Sequence, residues 1–165
     1  MTRLAQITIA LALSATTANA QIVPHSEVGE YNIAHVISGA LCYAVLQQKS
    51  VGGEPMIYTY YETKIGQRWH VLGYADPQKI TDASVNITID IDDTETLKRE
   101  TPTSDGDFMF PFANLDEIQA HEALIETGAV KSIAIAETGD TFEIQLEQHR
   151  AALSGLQDCL ATIEE

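Results

Sequence analysis

Val85-Asn86-Ile87-Thr88-Ile89-Asp90-Ile91 carries an apolar residue at every odd position and a polar one at every even position. Successive side chains of a strand point to opposite faces, so this period of two describes a strand with one face in a core and the other in water. The flanking residues continue the pattern. Asp92-Asp93 turns the chain into Thr94-Glu95-Thr96-Leu97-Lys98, and Ser104-Asp105-Gly106-Asp107 turns it again into Asp107-Phe108-Met109-Phe110, where Pro111 stops regular pairing. The middle of the chain is therefore antiparallel β.

The same reading extends in both directions. Upstream, Tyr31 to Ile37 and the apolar run Ala40 to Leu46 are strands separated by Ser38-Gly39, and Gln47 to Pro55 is a polar loop containing Gly52-Gly53. Met56-Ile57-Tyr58-Thr59-Tyr60-Tyr61 is dense in β-branched and aromatic residues, and Arg68 to Tyr74 returns beside it after a turn at Lys64-Ile65-Gly66-Gln67. Downstream, Val130 to Ala136 and Thr141 to Leu146 flank Thr138-Gly139-Asp140 as a further hairpin. One helix begins at an Asn114 cap, uses Leu115, Ile118, Ala120, Ala123 and Leu124 as its apolar face, and ends at Gly128. A second, within His149 to Ile163, has Leu153, Leu156, Leu160 and Ile163 at spacings of three, four and three, weakened somewhat by Gly155. With about eight short strands and no alternating βαβ pattern, the expected fold is mainly β. It is an antiparallel β-sandwich or partly closed barrel with one mid-chain helix and a C-terminal helix.

The first twenty residues have the parts of an export signal: Arg3, an apolar run from Leu4 to Leu13, and Ala18-Asn19-Ala20 before Gln21. The expected organisation is a cleaved signal over residues 1–20, a flexible leader over 21–30 and a single β-rich domain over 31–165. No later apolar run is long enough for a membrane span, so no integral membrane segment is expected after cleavage. The protein is expected in the periplasm or outside the cell. Cys42 and Cys159 are the only cysteines, and in an exported chain two cysteines read as one disulfide. The formal net charge of −15 repels phosphate backbones and anionic lipid, which argues against nucleic-acid binding.

The search for chemistry yields fragments. His121-Glu122 opens like a zinc-protease helix, but Ile125 stands where the second histidine is needed, and both residues read as the wet side of the helix. His25, His35, His70 and His149 are scattered. Asp90, Asp92, Asp93 and Glu95 are weak metal candidates, since Glu95 replaces the glycine that a calcium loop needs for its sharp turn. No Gly-x-Ser-x-Gly elbow or phosphate-cradling glycine loop is present, and the two cysteines sit in apolar runs that suit a bridge. No cofactor is expected. Tyr58 and Tyr60 share one strand face, and Trp69 shares another with Val71. Burial is the ordinary fate of such rings. Exposed, Tyr58, Tyr60, Trp69 and Tyr74 would form a candidate partner-binding face.

The layout resembles the invasion-associated locus B family of bacterial exported proteins. The carriers are Leu41-Cys42-Tyr43-Ala44 after a β-like lead-in, the long run of strands, the Leu115 to Leu124 helix before Gly128-Ala129, and Leu153-Ser154-Gly155-Leu156 with Cys159. The resemblance implies a periplasmic or envelope β-rich protein linked by name to host-cell invasion, with no catalytic site to carry over. The expected function is non-enzymatic binding of a protein partner whose identity is unknown. Two alternatives are a hydrolase whose carboxylate and histidine site is assembled from distant strands, and a divalent-metal-binding protein.

Overall fold

The computed structural model describes residues 21–36, 40–104, 107–111 and 115–163. The export signal, the Ser38-Gly39 and Asp105-Gly106 turns and the Asn114 cap lie outside the described residues. The elements are β1 (Ile22–Val28), β2 (Tyr31–Val36), β3 (Leu41–Lys49), β4 (Pro55–Thr63), β5 (Arg68–Tyr74), β6 (Ser84–Ile91), β7 (Thr94–Ser104) and β8 (Asp107–Pro111). They are followed by α1 (Leu115–Thr127), β9 (Val130–Ile135), β10 (Thr141–Gln145) and α2 (Leu146–Ala161).

All strands join one ten-stranded sheet in the order β1-β2-β3-β4-β5-β8-β7-β6-β9-β10, and every pairing is antiparallel. The sheet curls without closing. Its far edge, β10, comes back to the end of β3: Val51 N–H donates to the Thr141 carbonyl at 2.8 Å, and the Gln48 amide donates to the Glu143 carbonyl. The inner face carries Tyr31 and Ile33, Cys42, Ala44 and Leu46, Met56 and Tyr58, Leu72, Val85, Ile87 and Ile89, Ile133 and Ile135, and Phe142 and Ile144, all in one buried core. α2 fills the concave side, packing on β1, β2, β3 and β10 and adding Ala152, Leu156, Cys159 and Leu160 to that core. Burial of apolar side chains on both sides of the gap is what holds a curled sheet to a helix.

Two features differ from the expected organisation. The segment expected to be a flexible leader is β1, paired with β2 from Ile22 opposite Val36 to Val28 opposite Tyr31. It shows no hydrophobic alternation because it is an edge strand, mostly exposed, held by backbone hydrogen bonds and with Pro24 beside a bulge. β7 also runs further than expected, through Pro102. That residue makes the last pair with β6, opposite Ser84, and Thr103 then begins pairing with β8. The proline's missing N–H falls where β7 passes from one neighbour to the other.

Cys42 on β3 and Cys159 on α2 are bridged, with Cα atoms 6.2 Å apart. Four residues along α2, Gly155 faces β2 so closely that an added Cβ would stand 2.4 Å from Ile33 Cδ1 and 3.1 Å from Val28 Cγ2. The glycine therefore sets how near the helix lies to the sheet, at the expense of helix propensity. Gly155→Leu is expected to destabilise the protein by about 2 to 4 kcal/mol through overpacking. Urea unfolding checks it, and an unchanged midpoint would mean that α2 is not seated on β2.

Candidate functional site

Five elements each turn a polar side chain into the core, and the turns follow from ordinary periodicity. His70 is in phase with Leu72 on β5, Lys131 with Ile133 and Ile135 on β9, and Tyr58 with Met56 on β4. His121 lies one turn before Ile125 on α1, and His149 lies two turns before Leu156 on α2. The five converge. Tyr58 Oη is 2.5 Å from His70 Nδ1. Lys131 Nζ donates to Tyr58 Oη at 3.3 Å and lies 3.3 Å from His121 Nε2. Tyr31 Oη is 3.1 Å from His149 Nδ1, and the His149 ring stands edge-on to Tyr58 and Tyr60 at 6.0 and 5.9 Å. Lys131 and His70 are 0% exposed, His149 1% and His121 3%.

A medium of low dielectric disfavours the charged form of each group. Burial lowers Lys131 to about 7. Burial first, then the neighbouring Lys131, lowers His121 to about 2 and His149 to about 3. His70 is pushed well below its ordinary value by burial, then by Lys131, His121 and His149. Burial raises Tyr58 well above its ordinary value. The histidines are therefore neutral imidazoles at neutral pH, and Lys131 is poised between amine and ammonium. No carboxylate is among the described hydrogen-bond or ion-pair partners of Lys131 or His149.

Tyr60 forms the wall between this cluster and the surface. Its ring meets His70 edge-on at 4.8 Å on the inside, and outside it lines a cleft of about 260 Å³ between the ends of β4 and β5, α1 and α2. Arg68 bridges Glu62 at 2.9 Å and also pairs with Glu122, and Gln157 donates to the other Glu62 oxygen at 2.8 Å. Arg150 donates to the Ile125 and Gly128 carbonyls at 2.7 and 3.0 Å, fixing the end of α1. Glu126 and Ser154 complete the rim. The cleft thus presents guanidinium and carboxylate groups together, many already engaged with one another.

Burial, the ordinary fate expected for these rings, holds for the three tyrosines, and the exposed partner-binding face of Tyr58, Tyr60, Trp69 and Tyr74 does not form. Tyr58, Tyr60 and Tyr74 are buried on the inner side, with Tyr74 donating to Asp140 at 2.7 Å. Trp69 points the other way and stacks on Tyr61, its register partner, at 5.1 Å. The curl of the sheet encloses the side that a flat hairpin would have shown. His121 is likewise not on the wet side of its helix, because α1 presses that face against β7 and β9.

The acidic group is a turn and not a ligand set. Asp92 and Asp93 have φ of 48° and 63°, the two-residue hairpin conformation. The Asp92 carboxylate accepts N–H bonds from Ala129 and Val130 at 2.9 to 3.1 Å, which holds it below the usual carboxylate range. Asp90 pairs opposite Glu95 across the hairpin, and Asp93 and Glu95 face solvent. Among the described residues no three His, Cys, Asp or Glu side chains are placed to hold a metal ion.

Sequence reasoning did not single out Lys131, Glu62, Arg68 or Arg150, nor group His70, His121 and His149. A signal existed for Lys131, a lysine in step with Ile133 and Ile135 on an alternating strand. The fold and site together define a disulfide-clasped, single-sheet β protein with a sealed amine and imidazole cluster beneath a charged cleft. No family model, curated protein or solved structure matches the chain.

Proposed function

We propose that the chain is an exported protein of the bacterial envelope or its surroundings that works by binding a partner in the cleft between β4, β5, α1 and α2, without turnover. The observation that carries this reading is the separation of its chemistry from its surface. The amine and imidazoles of the inner cluster are at most 3% exposed, whereas the open cleft offers the Arg68 guanidinium paired with Glu62 and Glu122, beside Glu126 and Arg150. Groups that cannot reach a substrate do not catalyse, and polar groups converging on a concavity fix orientation and specificity.

The Cys42–Cys159 bridge fits an oxidising compartment, and among the described residues no helix is long and apolar enough to cross a membrane. The signal-like first twenty residues support export to the periplasm or beyond. The resemblance to the invasion-associated locus B family supports an envelope role linked to host interaction.

The test compares the protein with Ser154→Trp and Glu126→Lys, which alter the rim, and with Ile65→Ser on a β-turn tip that is 81% exposed. Affinity for a defined envelope partner is expected to fall by about tenfold or more in the rim variants and to hold in Ile65→Ser. Equal affinity in all three would remove the cleft from the reading. Turnover of an ester, glycoside or peptide substrate, abolished by Glu122→Gln, would replace it with the hydrolase.

A further inference from the structure

The cleft opens on the side of the sheet that carries the helices, and the opposite side holds a second apolar cluster. On the outer face of β2 to β5, Ala34, Tyr43, Val45 and Tyr61 are buried together, with Trp69 and Val71 packed against them. Register aligns Ala34, Tyr43, Tyr61 and Trp69 in one row across the four strands, and the Tyr61 and Trp69 rings stack with planes 7° apart. No charged side chain belongs to the cluster. The other half of the sheet differs. Asn86, Thr88 and Asp90 point outward from β6, and Thr141, Glu143 and Gln145 from β10, the polar surface that an antiparallel sheet turns to water. Strands apolar on both faces are built to be covered on both. Tyr43 is 2% exposed and Val45 3%, values of a face with something seated on it. Neither helix supplies that cover, because α1 and α2 join the inner clusters only.

We propose that the occupant is this chain's own apolar segment, Leu4 to Leu13, seated on the outer face of β2 to β5 for as long as it stays attached, and that its removal uncovers that face. The segment joins the fold at Gln21, directly before Ile22, whose register partner Val36 belongs to the outer cluster. The connector, residues 14–21, reaches about 27 Å when extended, more than the ~19 Å from β1 to β5 at ~4.8 Å per strand. As a helix, the stretch from Leu4 to Leu13 is about 15 Å long, which matches the ~14 Å from β2 to β5. Leu4, Ile7 and Leu11 then fall on one side, at spacings of three and four. No ionisable side chain occurs from Leu4 to Ala20, so docking strands no charge. A second copy of the chain fits less well. The cluster's footprint of about 15 Å by 15 Å is roughly 200 Å², against about 800 Å² per partner in a stable interface.

Trp69 is the chain's only tryptophan and lies in the cluster, so its fluorescence reports on the cover. Acrylamide quenching is measured on the oxidised full chain with the segment still attached. It is expected to increase about twofold in the double variant Ile7→Asp, Leu11→Asp, where the segment could stay seated only by burying carboxylates. It should hold in Thr16→Asp, Thr17→Asp, which alters the connector alone. Equal quenching in the unsubstituted chain and in Ile7→Asp, Leu11→Asp would overturn the proposal. So would shielding of Trp69 that disappears on dilution as a dimer seen by sedimentation dissociates, since a second copy would then be the occupant. Should Ile7→Asp, Leu11→Asp fail to fold, energy transfer from Trp69 to a dansyl group on the α-amine of the unsubstituted chain decides. Efficient transfer supports the seated segment, and its absence overturns it.

Discussion

Cys159→Ser is expected to lower the unfolding free energy by about 4 to 5 kcal/mol, the loop-entropy value for a bridge that spans 117 residues. That loss is comparable with the whole net stability of a domain this size, about 5 to 15 kcal/mol. Both cysteines are fully buried, so reductant reaches the bridge only when the chain opens. The wild type should therefore resist dithiothreitol in native buffer and lose the bridge quickly once urea is present, whereas the variant should ignore reductant altogether. Equilibrium urea unfolding with and without reductant measures both effects. A variant with the wild-type midpoint would mean that the bridge adds nothing to the contact between α2 and β3.

The second large effect concerns pH. In the unfolded chain each buried histidine regains its ordinary value near 6.5 and Lys131 its value near 10.4, while in the fold they stand at about 2 for His121, about 3 for His149 and about 7 for Lys131. A depressed folded value means that the unfolded chain binds the extra proton. The histidine contribution is complete above pH 6.5 and is lost as pH falls toward the folded values, at about 1.4 kcal/mol per pH unit for each histidine. The Lys131 contribution is lost earlier, between the unfolded value and about 7. Stability should therefore peak near pH 9, above the usual range of about 5 to 8, before ionisation of tyrosines in the unfolded chain turns it down. Chemical denaturation from pH 5 to 10 checks this, with Lys131→Met expected to flatten the rise above pH 7 and His149→Phe to reduce the slope below 6.5. A maximum at pH 6 in the wild type would show that these groups are hydrated in the fold.

Much of this architecture could be read directly from the residues. The alternation of Val85 to Ile91 locates β6, and two cysteines in a chain with an export-like start locate the clasp. β1 was illegible because an exposed edge strand is made by backbone pairing, which leaves no mark on side-chain pattern. The cluster was partly legible. Lys131 and His70 occupy inward positions of alternating strands, so period alone assigns them to the core. What period does not supply is their meeting, which depends on β5 and β9 facing each other across a curled sheet, and on α1 and α2 delivering two more rings from elsewhere. The cleft was illegible for the same reason, since Glu62, Arg68, Glu122 and Arg150 come from four elements and are united only by the fold. The aromatic hairpin shows the converse: the strands were correctly paired, but curvature decides which side is inside, and curvature is not written in either strand alone.

The clasp also determines how the molecule would respond to being pulled. Tension applied to the two ends would run from β2 into β3, cross the sulfur–sulfur bond and leave through the last turn of α2. The roughly 400 Å of extended chain between the cysteines would never bear load. Only β1, β2 and the short tail would yield, and the interior cluster would stay slack and intact under a force that strips the edge of the sheet.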